Sequence, residues 1–400
     1  MTRWNHGTIV LVNRVFRYRL HPTAKQSDNL RLMLFDHCDL YNAALQERRD
    51  AYQHPSKTSI KYVQQCAQLK YIRADDPDQG RWSFTSQQQT LRRLDTAFQA
   101  FFKRVKDGGV AGYPRFRSRC RFDTVTFIDG DGGKFIPETK RVHVKGVGHI
   151  KVNPHRIVRG TVKQFSITRI RKHWYVNVIC VDIPKQVRPL TGNVVGLDRG
   201  VTHLLGDSYG NLHENPRYGK RSEDRLAELQ RSVSRKKKGS TNRQKAVAKV
   251  AALHRHIRNQ RSNRLHEISR GLVDEYDLIV LEQLPIRNMT KRPEPKPDPD
   301  SPGDYLPNGA AAKSGLNKAI LDSGWGVFHR LVGYKAEDAG IETMMVNPRN
   351  TSRMCHECSF VAEGNRIKEA FECLRCGHKD HADVNAAKNI LRLGLSLRLA

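Results

Sequence analysis

The run Val194-Val195-Gly196-Leu197-Asp198-Arg199-Gly200 sets an acid at the carboxyl end of a short apolar stretch, and Gly200 permits the tight turn that must follow. The same arrangement recurs in Leu278-Ile279-Val280-Leu281-Glu282, a run apolar enough to be buried on both faces of a sheet. A third acid, Asp383, stands before Val384, Ala387, Ile390 and Leu391, whose spacing predicts a helix. On the first turn of that helix Asp383 can reach the end of a sheet, and the helix N-terminus favours its ionised form. Each acid alone has an ordinary explanation as a turn or helix cap. Taken together they suit a site where carboxylates from separated segments hold two divalent ions for phosphodiester hydrolysis.

The intervening segments support one core around these acids. Residues 191–213 read as two or three short strands with tight turns, followed by a basic helical segment to about 272 and then the strand ending at Glu282. A charged, Pro-rich stretch from Lys291 to about Leu316 cannot pack a core and reads as a mobile loop or lid. A helix over about 317–339 leads to the strand Ile341–Val346, and a last helix opens near Asp383. That order is the one found in RNase H-type domains. Upstream, residues 9–20 alternate apolar with basic residues as a strand, about 22–105 carry helical spacing, and about 122–183 return to short β-branched and aromatic runs. The fold class expected is α/β plus α+β, in more than one domain, since 400 residues exceed what one core usually organises.

Charge narrows the partners. With 70 Lys plus Arg against 40 Asp plus Glu, a formal net charge of +30 favours a polyanion partner, nucleic acid above all. No apolar run is long enough to span a bilayer, and residues 1–12 do not form a secretory signal, so an intracellular, cytoplasmic protein is expected. Between Arg217 and Arg264 sixteen Lys or Arg face three acids, with Arg235, Lys236, Lys237 and Lys238 in one run, as in a helix lying along phosphates. In residues 112–122, Arg115, Arg117, Arg119 and Arg121 interleave with Tyr113 and Phe116, offering phosphate clamps and rings for base stacking.

Cys355, Cys358, Cys373 and Cys376 form two Cys-x-x-Cys pairs separated by fourteen residues, the spacing of a four-thiolate zinc site. Four protein ligands make such a site structural, one Zn²⁺ that folds a short segment lacking its own core. His356 and His378 lie beside the knuckles and read as polar loop residues. Cys38, Cys66, Cys120 and Cys180 are scattered, and read as reduced, mostly buried thiols.

Asp198, Glu282, the paired cysteines and Asp383, in that order, resemble the transposon-encoded TnpB family, compact relatives of type V CRISPR effectors. The resemblance spans nearly the whole chain and includes residues 112–119 (GYPRFRSR), 234–240 (SRKKKGS), 323–328 (SGWGVF) and 351–355 (TSRMC). It implies an RNA-guided DNA endonuclease with a RuvC-like active site, in which Asp198, Glu282 and Asp383 hold two Mg²⁺ and one centre cuts both strands beside a short target-adjacent motif. It further implies a wedge domain, β-barrel-like, from 1–20 and 119–190, and a helical recognition domain from 21–118. The nuclease domain would comprise 191–349 and 379–400, interrupted by a zinc ribbon at 350–378. Guide RNA and target double-stranded DNA are the implied partners, with the chain acting as a monomer that joins the nucleoid when bound to DNA. By the same likeness the helix in residues 83–94 contacts the flanking motif, with Phe84, Gln87 and Gln88 as candidates. Glutamine suits adenine edges.

Three other readings stay open on the sequence. A miniature CRISPR effector would take its guide from an array instead of a transposon end. A guided repressor would bind and cut little, its site covered by the segment Lys291–Leu316. A transposase would use the same acids for strand transfer without a guide.

Overall fold

The computed structural model describes residues 11–301 and 303–399, which divide into two compact units meeting at Pro184 and Lys185. The part of the expected first strand and wedge that falls on residues 1–10 lies outside the described residues.

In the first unit, strand β1 (Leu11–His21) is followed by helices α1 (Ala24–Gln53), α2 (Tyr62–Asp75), α3 (Pro77–Gly80) and α4 (Phe84–Lys106). Six strands then follow: β2 (Thr124–Ile128), β3 (Gly133–Ile136), β4 (Arg141–Val144), β5 (Gly148–Asn153), β6 (Thr161–Ile170) and β7 (His173–Pro184). They pair with β1 in an antiparallel sheet ordered β2-β6-β7-β1-β5-β4-β3. Alternation along β1 buries Phe16, Tyr18 and Leu20. The helices bury Leu30, Met33, Leu34, Leu91 and Leu94 into the same cluster, which also holds Phe127 and Phe165 from the sheet. Helical block and sheet therefore share one core, and the boundaries expected at 21 and 118 do not separate two compact units.

The second unit holds β8 (Val194–Asp198), β9 (His203–Asp207), β10 (Leu212–Glu214), α5 (Tyr218–Arg221), α6 (Glu223–Ser234), α7 (Thr241–Glu275) and β11 (Leu278–Glu282). After α8 (Ile286–Met289) come β12 (Lys296–Pro297), β13 (Tyr305–Leu306), α9 (Ala310–Ser323), α10 (Trp325–Ala339) and β14 (Glu342–Val346). Three short strands, β15 (Arg366–Ile367), β16 (Ala370–Glu372) and β17 (Lys379–His381), precede α11 (Ala382–Leu399). The main sheet runs β10-β9-β8-β11-β14, with β8, β11 and β14 parallel. On one face α7 and α10 pack Leu265, Leu272, Phe328 and Val332 against Val195, Leu197, Ile279 and Leu281. On the other, Ile390 of α11 meets Leu278, Val280 and Val346.

Several expected boundaries shift for physical reasons. Residues 185–190, expected with the segment before them, belong to the second unit, because Arg188 donates to the carbonyls of Val273 (2.8 Å) and Tyr276 (2.6 Å) and pairs with Asp277 at 2.8 Å. The Lys291–Leu316 stretch is not one continuous loop, since β12 and β13 form a small hairpin and α9 begins at Ala310. The single helix expected over 317–339 is two, broken at Gly324, whose φ of +71° an alanine would adopt only with strain. The small sheet β15-β16-β17 runs on to His381, past the boundary expected at 378. Among the described residues no helix is long and apolar enough to cross a membrane.

Candidate active site and cysteine cluster

Strand parity decides where the acids point. In the parallel pair β8 and β11, Gly196 lies opposite Val280, which packs on the α11 face, so Asp198 and Glu282, each two residues on, project toward that same face. Helix α11 comes unusually close there. A Cβ on Gly196 would stand 2.2 Å from the Ala387 carbonyl oxygen and 2.6 Å from the Leu391 nitrogen. One on Gly206 would stand 3.0 Å from the Asp383 Cβ, and one on Gly394 2.6 Å from Val280. These bare glycines let the helix backbone sit on the sheet and bring Asp383 to the strand ends that carry the other two acids.

All three acids are buried. Burial, then the negative charges of Glu282 and Asp383, push the Asp198 carboxyl up to about 8, against the pull of Arg366. Burial also raises Glu282, opposed first by the hydrogen bond from Thr351 and then by the charges of Arg199 and Arg366. The Thr351 hydroxyl donates to Glu282 Oε1 at 2.5 Å, and the buried Arg199 guanidinium donates to the Glu282 carbonyl oxygen. Arg366 pairs with Asp383 Oδ1 at 2.9 Å, and His203 Nδ1 lies 3.5 Å from Oδ2. His381 Nδ1 accepts the Asp383 backbone N–H at 3.2 Å. The ligand atoms that close to within 4.8 Å of one another here are those of His203, His381 and Asp383. Trp325 Nε1 donates to the Gly200 carbonyl at 3.2 Å and pins the turn after Asp198.

Burial first, and then repulsion among the carboxylates, makes the ionised form of Asp198 costly, a cost that a bound cation would relieve. Among the described residues Asp198 and Glu282 do not close with Asp383 into one group of ligand atoms, as His203 and His381 do. The sequence did not single out Arg199, His203, Thr351, Arg366 or His381. Arg199 and Thr351 stand in the motifs around Asp198 and Cys355, whereas nothing local marks Arg366, which β15 delivers.

The four cysteines also converge. Cys355 Sγ lies 3.7 Å from Cys376 Sγ, and Cys358 Sγ 3.5 Å from Cys373 Sγ. A tetrahedral site with metal–sulfur bonds of about 2.3 Å has sulfur–sulfur edges of about 3.8 Å, so the cluster fits such a metal. Although burial works to raise the Cys373 thiol, the backbone N–H groups of Cys376 and Arg375 bring it down to about 6. Of the remaining cysteines, Cys38 and Cys180 are buried, Cys66 is half-buried and Cys120 is exposed.

The residues expected to contact nucleic acid are scattered. Arg115, Arg117 and Arg119 are exposed, although Arg119 is engaged by Asp39 at 2.5 Å. Arg235, Lys237 and Lys238 are exposed and Lys236 half-buried, and the run occupies the turn between α6 and α7, not a helix. Phe84 is 38% exposed, and Gln88 is half-buried. Gln87 corrects the expectation that it reads a base edge. It is fully buried, its side-chain oxygen accepts from Arg73 at 2.5 Å, and its amide donates to Gln79 Oε1 at 2.9 Å, so both ends are already used inside the unit.

Comparison with known proteins places these features in context. A family model described as "Probable transposase" (OrfB_IS605) matches residues 178–293, and one described as "Cas12f1-like, TNB domain" matches 325–390. A model described as "Helix-turn-helix domain" matches 12–57, a stretch that folds here as β1 and α1. The chain is 31% identical to the Escherichia coli (strain K12) protein named "Putative RNA-guided DNA endonuclease InsQ", over 95% of this chain and 92% of that one. It is 32% identical to a Streptomyces pristinaespiralis protein named "Putative RNA-guided DNA endonuclease", over 96% of this chain and 90% of that one. Its fold is similar to the protein in a "Cryo-EM structure of the Cas12f1-sgRNA-target DNA complex", with a TM-score of 0.54 at 13% identity, covering 95% of this chain and 98% of the other.

Proposed function

The chain belongs to the OrfB_IS605 (TnpB) family, and from that membership we propose that it is an RNA-guided DNA endonuclease that binds a guide RNA and cuts the target DNA the guide pairs with. The observation that carries the catalytic half of this reading is the burial of Asp198, Glu282 and Asp383 on one face of a parallel strand pair, under the helix that bears the third acid.

In this reading residues 191–349 together with α11 form an RNase H-like, RuvC-type core, and the sheet order β10-β9-β8-β11-β14 supports it. The three acids would hold two Mg²⁺, and these when bound supply charge stabilisation to the phosphodiester oxygens and a nucleophilic water at neutral pH. The chain's own residues prepare the site. Thr351 orients Glu282, Arg366 orients Asp383, and Arg199 fixes the end of β11 through its carbonyl. The net charge of +30 favours retention of guide and target, and the exposed Arg115, Arg117, Arg235, Lys237 and Lys238 are the side chains we assign to phosphates. Base pairing then chooses sequence, and the protein reads only a short flanking motif, with Phe84 and Gln88 as the remaining candidates on α4. The cysteine cluster would hold one structural Zn²⁺ in a ribbon inserted before α11, supported by its sulfur–sulfur distances.

Sequencing the RNA that co-purifies with the protein tests the guided half. One defined species spanning a transposon end supports the proposal. A species derived from a CRISPR array would reassign the guide's origin, and heterogeneous cellular RNA would contradict guided recognition.

A further inference from the structure

A second group of ligating side chains stands beside the four cysteines and has no part in the activity proposed above. His356, from the first knuckle, His378, just past the second, and Asp380, on β17, present one ligand atom each, all within 4.8 Å of one another. The two imidazole rings meet edge to face with centroids 4.6 Å apart.

The tautomer of His356 follows from its neighbour. The Asn385 amide is fixed, because Nδ2 donates to the Met354 carbonyl at 2.8 Å while Oδ1 accepts the His356 backbone N–H at 3.0 Å. His356 Nδ1, 3.3 Å from that same Oδ1, therefore carries the proton, and Nε2 keeps its lone pair. Donation of the far ring N–H to a carbonyl oxygen is how metal-bound histidines are usually held. That Nε2 lies 3.1 Å from Glu357 Oε1, an edge short enough for one cation beside it to bond both atoms. His378 Nε2 is a buried nitrogen with no hydrogen-bond partner, 3.8 Å from Asp380 Oδ2. Asp380 is itself oriented, since Oδ1 accepts the His381 N–H at 2.7 Å and Oδ2 accepts from Lys388 at 2.7 Å. A carboxylate oxygen has capacity for both Lys388 and an ion.

We infer that His356, His378 and Asp380 form a second metal site, separate from the four thiolates, that takes a borderline divalent transition ion of the Zn²⁺ class. Two imidazoles and one carboxylate are a donor set that such ions accept, with water or Glu357 completing the shell. The site joins both knuckles to the strand that ends two residues before Asp383, and so clamps the ribbon to the start of α11.

Metal stoichiometry on the full chain tests the assignment. Zn²⁺ loading followed by desalting and elemental analysis is expected to give one equivalent fewer in the His356→Gln/His378→Gln variant than in the wild type, the acidic site being the same in both. Titration with Co²⁺ separates the sites. One equivalent brings the thiolate charge-transfer absorption of the cysteine site, and the other adds a visible ligand-field band without it. The thiolate absorption must persist in the variant, which shows that the ribbon still folds. Asp380→Asn is expected to weaken the thiolate-independent equivalent at least about tenfold, the low end of what even an outer-shell change costs a metal site. Saturation of the wild-type chain at one equivalent, or an unchanged thiolate-independent equivalent in both variants, would overturn the inference. Loss of the thiolate band from the wild type with the other equivalent intact would instead count against the cysteine site and leave this one standing.

Discussion

The hydroxyl of Thr351 donates a 2.5 Å hydrogen bond to Oε1 of Glu282, so the segment that leads to the four cysteines is tied to the acid at the end of β11. Both side chains are buried, and the bond holds Glu282 toward its ionised form. Thr351→Val removes the donor and keeps the shape. Its divalent-ion affinity, read by titration calorimetry, is expected to fall about 10- to 100-fold, the usual cost of losing an outer-shell partner. Thr351→Ser should restore most of it, and guide RNA binding should be unchanged in both.

Arg366 is the cation that pulls the Asp198 carboxyl back down and pairs with Asp383. Replacing it by glutamine removes that pull, so Asp198 holds its proton to higher pH. The acid limb of a pH–cleavage profile should therefore move to higher pH in Arg366→Gln. A limb that stays in place, or moves the other way, would remove Arg366 from the electrostatics of the site.

Gly196 lies directly under the backbone of α11, and the 2.2 Å separation between its added Cβ and the Ala387 carbonyl leaves no room for alanine. The neighbour is backbone, not a flexible side-chain tip. Gly196→Ala is expected to cost about 3 kcal/mol in denaturant unfolding and to displace Asp383 from the strand ends. Gly192→Ala, where no atom lies within 4 Å but φ is +80°, should cost only the smaller backbone strain.

The pH dependence of metal-free stability has a definite sign. Burial and the neighbouring acids raise the Asp198 carboxyl from 3.8 to about 8, so the folded chain binds its proton more tightly than the unfolded chain. This contribution to stability is complete below about 4 and is lost as pH rises toward about 8. Melting in chelator should show this fall across that range, and added divalent ion should reverse it by binding the folded state alone. Asp198→Asn should flatten the profile and raise the metal-free melting temperature at pH 8 by a few degrees.

Much of the site was legible because it depends on local pattern. Apolar runs ending in Asp198 and Glu282, and the periodicity after Asp383, predict two strands and a helix, and these form at β8, β11 and α11. Paired cysteines predict their own convergence because the ligand spacing is short. What the sequence hid depends on tertiary placement. Arg366 reaches Asp383 only through the turns of the β15-β16-β17 sheet, and Gln87 looks like a surface glutamine until α4 packs and Arg73 and Gln79 claim its amide. The break at Gly324 was invisible to periodicity, since both halves carry helical spacing and only the positive φ separates them. Pooling sixteen basic residues over 217–264 likewise blurred the turn that holds Lys237 and Lys238.

The most direct measurement compares wild type with Asp198→Ala, each as the purified complex with its co-purifying RNA, on linear DNA that matches the guide. Wild type should cut both strands in Mg²⁺, whereas the variant should retain binding to guide and target and lose cleavage by at least about 10²- to 10³-fold, the scale of removing one preorganised charge-stabilising group. Cleavage by Asp198→Ala at the wild-type rate would contradict the account.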